Sequence, residues 1–201
     1  DPYVVTVREG YAINETRRSP VILGFIADQE YVTIDEISVS ESKEYTVTYS
    51  PSDTTPYRVE YYRQDVDGED YSQVVFGDEE RTGVTGSTTT VDAADASSHS
   101  APGFTLRTDL TVCNKPIAAD GTTVIKLYYD RDMHYVFFDT ADGTYMEPLY
   151  GLYGATVDMP TTEPVRNGYT FKGWEPAYAQ ITIGTTDVTV KALWEKQTVK
   201  Y

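Results

Sequence analysis

Four landmarks recur along this chain in one order and at matching intervals, and an internal repeat constrains the fold more than any compositional figure does. "PYRVEYYRQDVDG" (56–68) stands beside "HYVFFDTADG" (134–143): an alternating aromatic strand, then acidic residues, then an Asp-Gly turn. "GSTTTVDA" (86–93) matches "GATVDM" (154–159), and "GFTL" (103–106) matches "GYTF" (168–171). "GTTVIKLYYDR" (121–131) matches "TTDVTVKALWEK" (185–196). The step from Val91 to Gly103 equals that from Val157 to Gly168 to within a single position, and so do the steps from Gly103 to Val124 and from Gly168 to Val188. The repeat is roughly 62–76 residues long, the size of a small domain.

Residues 1–55 form a looser third unit. "PYVVTV" resembles an opening strand, "GYAI" (10–13) the Gly-aromatic element and "KEYTVTYS" (43–50) a closing strand. The middle does not align, because Gly10 lies too far from that closing strand. It is either a divergent or truncated copy or a different small β module. The expected units are 1–55, 56–132 and 133–201. "SPSDTTP" (50–56) is a linker by composition, whereas "DRDM" (130–133) is so short that its two units nearly abut.

Eighteen Tyr, with Thr and Val, dominate the regular segments, and these residues suit a pleated, half-buried surface. The expected class is therefore mainly β. "YRVEYY" and "YVFF" alternate with period two and run into Asp-Gly hairpin signals. Gly103 and Gly168 each precede an aromatic, where the chain needs an unusual backbone angle before re-entering a strand. "VDAADASSHS" (91–100) is a short helix candidate with Asp92 near its start. Its counterpart "VDMPTTEPV" holds Pro160 and Pro164 and should cross irregularly. The closing strands place Trp194, and Tyr128 as its counterpart, on a small core. Strand–strand–crossing–strand–strand is compatible with a β-grasp-like unit.

The formal net charge of −16 argues against nucleic acid and anionic membrane as partners, since both require clustered Lys and Arg. No apolar run approaches the ~18 residues of a membrane span, so direct membrane insertion is not expected, and no signal peptide opens the chain. The abrupt start "DPYVVTV" reads as a piece of a longer protein. The single cysteine, Cys113, allows no internal disulfide, and no zinc spacing exists.

Gly143, Gly168, Gly173, Tyr169, Phe171 and Trp174 read as turn and core residues. His99-Ser100 lies in a Ser/Ala loop and His134 starts a strand, with no recognisable nucleophile turn near either. Cys113 is a half-buried small residue with no motif around it. No catalytic residue and no cofactor is expected. "DVDGED" (65–70) gathers Asp65, Asp67, Glu69 and Asp70, but the EF-hand order is absent and Asp-Gly is itself a hairpin turn, so no metal is expected. Lys126 or Lys191 with Asn114 or Asn167 are the reagents an isopeptide crosslink would use. Nothing in the sequence brings them together, and ordinary exposed lysines remain the reading.

"GYTFKGW" (168–174), with "VTVKALW" (188–194) after it, resembles the Listeria–Bacteroides repeat, or internalin B-repeat, of bacterial surface proteins. Residues 134–196 follow that family's order: aromatic strand, "ADG" turn, "YGATV", "P…P…GYTFKGW", closing strand. Residues 57–131 resemble related surface repeats ending in "ADGTTVIKLYYDR", found near mucin-binding-protein repeats; residues 1–55 resemble a mucin-binding-type repeat only vaguely. The resemblance implies β-grasp-like, ubiquitin-like modules in an elongated array. It also implies an extracellular place on the surface of a bacterium, most simply Gram-positive, and no shared catalytic residues. No sorting motif, wall anchor or head domain is present, as expected of a fragment of a larger adhesin.

Two functional classes follow for this expected monomer. One is a stalk or spacer whose units contact only their neighbours. The other is a binding module that contacts host mucin, glycan or extracellular protein through Tyr145, Tyr150, Tyr153 and Tyr178 in the irregular connections of the last unit. Tyr offers large contact area at low entropic cost, but Tyr on strands also fills small β cores. The stalk is the preferred reading.

Overall fold

A computed structural model describes residues 14–34, 44–68, 70–74, 78–92, 96 and 101–198. The chain is mainly β, as its Tyr-, Thr- and Val-rich segments lead one to expect. Among the described residues no helix is long and apolar enough to cross a membrane. Packing divides the chain into two compact units. One comprises Asp1–Val59, Glu79–Thr90 and Asn114–Ile125; the other comprises Glu60–Asp78, Val91–Cys113 and Lys126–Tyr201.

In the first unit β1 (Glu15–Arg18) pairs antiparallel with β3 (Tyr31–Ile34), and β2 (Phe25–Ala27) with β4 (Tyr49–Pro51). The first half of β5 (Thr55–Gln64) pairs antiparallel with β7 (Glu79–Gly83), from Thr55↔Gly83 to Val59↔Glu79. Alternation along β5 buries Thr55, Tyr57 and Val59 and exposes Pro56 and Arg58, the period-two pattern of a half-buried strand. Ile117 and Ile125 are buried in the same unit.

In the second unit β6 (Tyr71–Gln73) pairs with the end of β5 across the 65–70 loop, and β8 (Phe104–Leu106) pairs antiparallel with β9 (Val124–Arg131). These strands run in the order β6-β5-β9-β8. The rings of Tyr61 and Tyr129 stack with centroids 6.4 Å apart. A second sheet has the order β11-β10-β15-β13, formed by β10 (Met133–Asp139), β11 (Leu149–Leu152), β13 (Tyr169–Glu175) and β15 (Val188–Lys196). Its central pair, β10 and β15, is parallel, with Val136 opposite Val188; the outer pairs are antiparallel. β12 (Thr156–Asp158) and β14 (Gln180–Thr182) form a separate antiparallel pair.

The core beneath this second sheet is Val136, Trp174, Ile181, Ile183, Val190 and Ala192, with Phe138, Phe171 and Trp194 packed against it. A β-bulge explains how "FKGW" serves it. Register shifts between Phe171 and Gly173 on β13, and Gly173 takes φ 121°, open to glycine and strained for other residues. The extra residue lets Phe171 and Trp174, three apart, both reach the core, with rings 5.2 Å apart.

Several sequence expectations change. Tyr129, not Tyr128, is the counterpart of Trp194: Ile125, Leu127 and Tyr129 are buried along β9, as Val190 and Ala192 are along β15, while Tyr128 lies half-buried between Tyr62 and Tyr71. The turn after β10 does not put its positive φ on Gly143. Ala141 and Asp142 take it, at 46° and 67°, and the Gly143 N–H closes the turn on the Thr140 carbonyl at 3.0 Å. Gly143 is glycine for room, since a Cβ there would lie 2.8 Å from Cζ2 of Trp194. Of the described part of "KEYTVTYS", residues 44–50, only the end, with Pro51, is strand; "PYVVTV" and "GYAI" lie outside the described residues. The helix expected over 91–100 also falls largely outside them, although the Ala96 N–H bonds the Asp92 carbonyl at 3.0 Å.

Among the described residues one backbone hydrogen-bond pattern occurs three times. Phe25, Phe104 and Tyr169 each donate their N–H to the carbonyl three residues back, on Ile22, Ala101 and Arg166. The glycine before each, Gly24, Gly103 and Gly168, sits at φ 75°, 81° and 79°, a left-handed angle that glycine adopts at no steric cost. Its carbonyl then accepts an N–H from just beyond the closing strand: Ser52 (2.7 Å), Asp132 (2.9 Å) and Gln197 (2.9 Å). Among the described residues the Gly-aromatic element of the first unit is Gly24-Phe25, while "GYAI" lies outside them. "TGVTG" (82–86) and "YGLYG" (150–154) also correspond. Gly86 and Gly154 donate to Ile117 and Ile183, each at 2.8 Å, and a Cβ on Gly83 or Gly151 would press on those same isoleucines.

Candidate ligand surface

The four tyrosines singled out by sequence are placed differently from one another. Tyr145 follows the 140–143 turn, is 75% exposed and donates its hydroxyl to Glu147 at 3.2 Å. That hydrogen bond to a carboxylate, with some desolvation, raises its phenol above the ordinary value. Tyr150 lies within strand β11 rather than in an irregular connection, and is 62% exposed. Tyr178 is exposed between β13 and β14. Tyr153, just after β11, is half-buried, its ring edge-on to Phe104 with centroids 5.6 Å apart. Among the described residues no ring contact links any two of the four.

What groups instead is a face the sequence reading assigned to strand filling. Alternation along β10 buries Val136 and turns Met133, Tyr135 and Phe137 outward. Tyr135 stacks on Phe137 at 5.8 Å and meets Tyr150 across the β10–β11 pair at 5.9 Å, as cross-strand aromatics on one face do. The sequence signal was the doubled aromatic alternation of "HYVFF", which supplies rings to both faces of the strand. Only one of those faces meets a core.

The other candidates resolve into local structure. His134 Nδ1 lies 3.2 Å from Asp187 Oδ1, which also accepts the Tyr135 N–H at 2.9 Å, so Asp187 fastens the start of β10. His99 and Ser100 lie outside the described residues, and Cys113 is half-buried. The 65–70 loop closes as a hairpin: Asp65 donates its N–H to the Asp70 carbonyl at 2.7 Å, and Gly68 donates to the Asp65 carbonyl at 3.0 Å. Glu69 is outside the described residues. Among those described, no group of three His, Cys, Asp or Glu side chains is placed to hold a metal ion. Lys126 lies over the Tyr62 ring at 5.2 Å, while Lys191, Asn114 and Asn167 are exposed.

No family model matches the chain, and no curated protein matches it. Solved structures similar at a low level include the following two. The crystal structure of Mub-RV is 14% identical with a TM-score of 0.29, covering 72% of this chain and all of that one. Streptococcal High Identity Repeats in Tandem (SHIRT) domains 3–4 from a cell surface protein are 14% identical with a TM-score of 0.24, covering 70% of this chain and 98% of that one. Likeness this slight fixes neither fold nor function.

Proposed function

We propose that this chain is a non-catalytic run of repeat modules from an extracellular bacterial adhesin, and that it acts as a stalk or spacer. The modules are 1–55, 56–132 and 133–201, the last of Listeria–Bacteroides type and the others nearer to mucin-binding-type repeats. One observation carries the reading: the same left-handed glycine turn and strand-end hydrogen bond recur three times along one chain. An array of like units is what that local scaffold builds. A parallel central pair flanked by antiparallel outer strands supports a β-grasp-like topology for the last module.

A second reading rests on the exposed Tyr135–Phe137–Tyr150 group, with Tyr145 and Tyr178 elsewhere on the module: contact with mucin, glycan or host protein. Contiguous exposed aromatics mark interaction surfaces. Binding to mucin, a glycan panel and matrix proteins separates the two. A spacer binds none of them tighter than roughly millimolar, about −4 kcal/mol. Saturable micromolar binding that is lost in a folded Tyr135→Ser, Tyr150→Ser double variant would establish the binding reading instead.

A further inference from the structure

The first two glycine turns each have a second partner, and among the described residues none is placed at the third. After the Gly24 carbonyl accepts the Ser52 N–H, the Ser52 carbonyl accepts the N–H of Thr85 at 2.9 Å, and the Thr85 hydroxyl donates back to the Gly24 carbonyl at 2.6 Å. At the second turn the Asp132 carbonyl accepts the N–H of Tyr153 at 2.8 Å, and the Tyr153 ring covers Gly103 so closely that no Cβ fits between them. Thr85 and Tyr153 are equivalent: each stands just before the glycine, Gly86 or Gly154, that donates to an isoleucine carbonyl. Gly103 is buried by this arrangement and Gly24 half-buried. Gly168, in the same turn with the same hydrogen bond from Gln197, is exposed, and among the described residues nothing lies within 4 Å of where its Cβ would be.

We infer that the Gly168–Gln197 end of the last module is a docking surface for the amino-terminal side of another module of this kind. The face is continuous in design with two contacts already present in the chain. Its side chains select the type of occupant. At the second turn Phe104 presents its ring to Tyr153, while Arg131 lies over Phe104 at 5.0 Å and donates to the Tyr153 carbonyl at 2.8 Å. At the third, Tyr169 stands in place of Phe104 and Lys196 in place of Arg131, with the Arg166 guanidinium 4.1 Å above the Tyr169 ring. At the first, where the donor is Thr85, the corresponding residue is Pro51. An aromatic with a cation beside it fits an aromatic-Gly turn such as Tyr153-Gly154, not a Thr-Gly turn.

This inference rests on the repeat-array reading, and the test separates the two. The chain is continued after Gln197 by a second copy of residues 133–201, matching the step from Asp132 to Met133, and amide exchange is followed by NMR. The added copy's Tyr153 amide should exchange about a hundredfold slower than an unstructured amide, as one hydrogen-bonded to the Gln197 carbonyl does. Protection of the added copy's Ile183 amide, which bonds the Ala155 carbonyl inside the module, reports that the copy is folded. A protected Ile183 amide beside a freely exchanging Tyr153 amide overturns the inference, as does free exchange at both. Neither negative result touches the two contacts inside the chain, so the array reading would stand or fall separately.

Discussion

The indole of Trp194 packs on Phe171 with ring centroids 5.5 Å apart and donates its N–H to the Thr140 carbonyl at 2.9 Å. One side chain thereby ties the closing strand to the turn that follows β10. Trp194→Ala should cost about 3 kcal/mol, the lower part of the range for large aromatic truncations because the ring is only half-buried. Urea unfolding followed through Trp174 fluorescence checks this, and a variant that unfolds with the parent would make the ring a surface group. Gly143 lies on the other side of the same contact. Gly143→Ala should cost roughly 1–3 kcal/mol through overpacking against Trp194, read by the same measurement. An unchanged midpoint would show that the indole moves aside freely.

At the level of the element, the left-handed turn before each Gly-aromatic strand provides an internal comparison. Gly168→Ala meets only the backbone cost of a left-handed alanine, roughly 1–2 kcal/mol, because its surroundings are open. Gly103→Ala meets that cost and also displaces the Tyr153 ring, so it should destabilise by at least about twice as much. Equal losses in thermal unfolding of the two variants would show that Tyr153 contributes nothing at its turn. The landmarks behind these turns were legible in two of the units because "GFTL" and "GYTF" keep both letters and spacing. In the first unit two Gly-aromatic pairs compete, Gly10-Tyr11 and Gly24-Phe25, and letters alone favour neither. Spacing decides: Gly24 stands as far before Ser52, to within a single position, as Gly103 stands before Asp132 and Gly168 before Gln197. The bulge at Gly173 was not legible, because period-two reading of "GYTFKGW" has no place for the extra residue that brings Phe171 and Trp174 to one side.

For the whole molecule, the sequence disclosed the β class and the repeat, since Tyr, Thr and Val at period two and four spaced landmarks are local signals. The tyrosines of interest were less legible. "YGLYGA" does not reveal that Tyr150 faces out beside Tyr135 while Tyr153 turns onto Phe104, because those partners belong to other segments of the chain. Exposure of an aromatic depends on which face of a strand meets a core, and that is fixed by pairing between distant segments. The proposed function makes the chain a linear array of small modules rather than one globule. Small-angle X-ray scattering of the full chain tests it most directly. A compact globule of this length has a radius of gyration of about 17 Å. The array predicts a radius well above that globular value and a distance distribution skewed to long vectors, whereas a radius at the globular value with a symmetric distribution would contradict it.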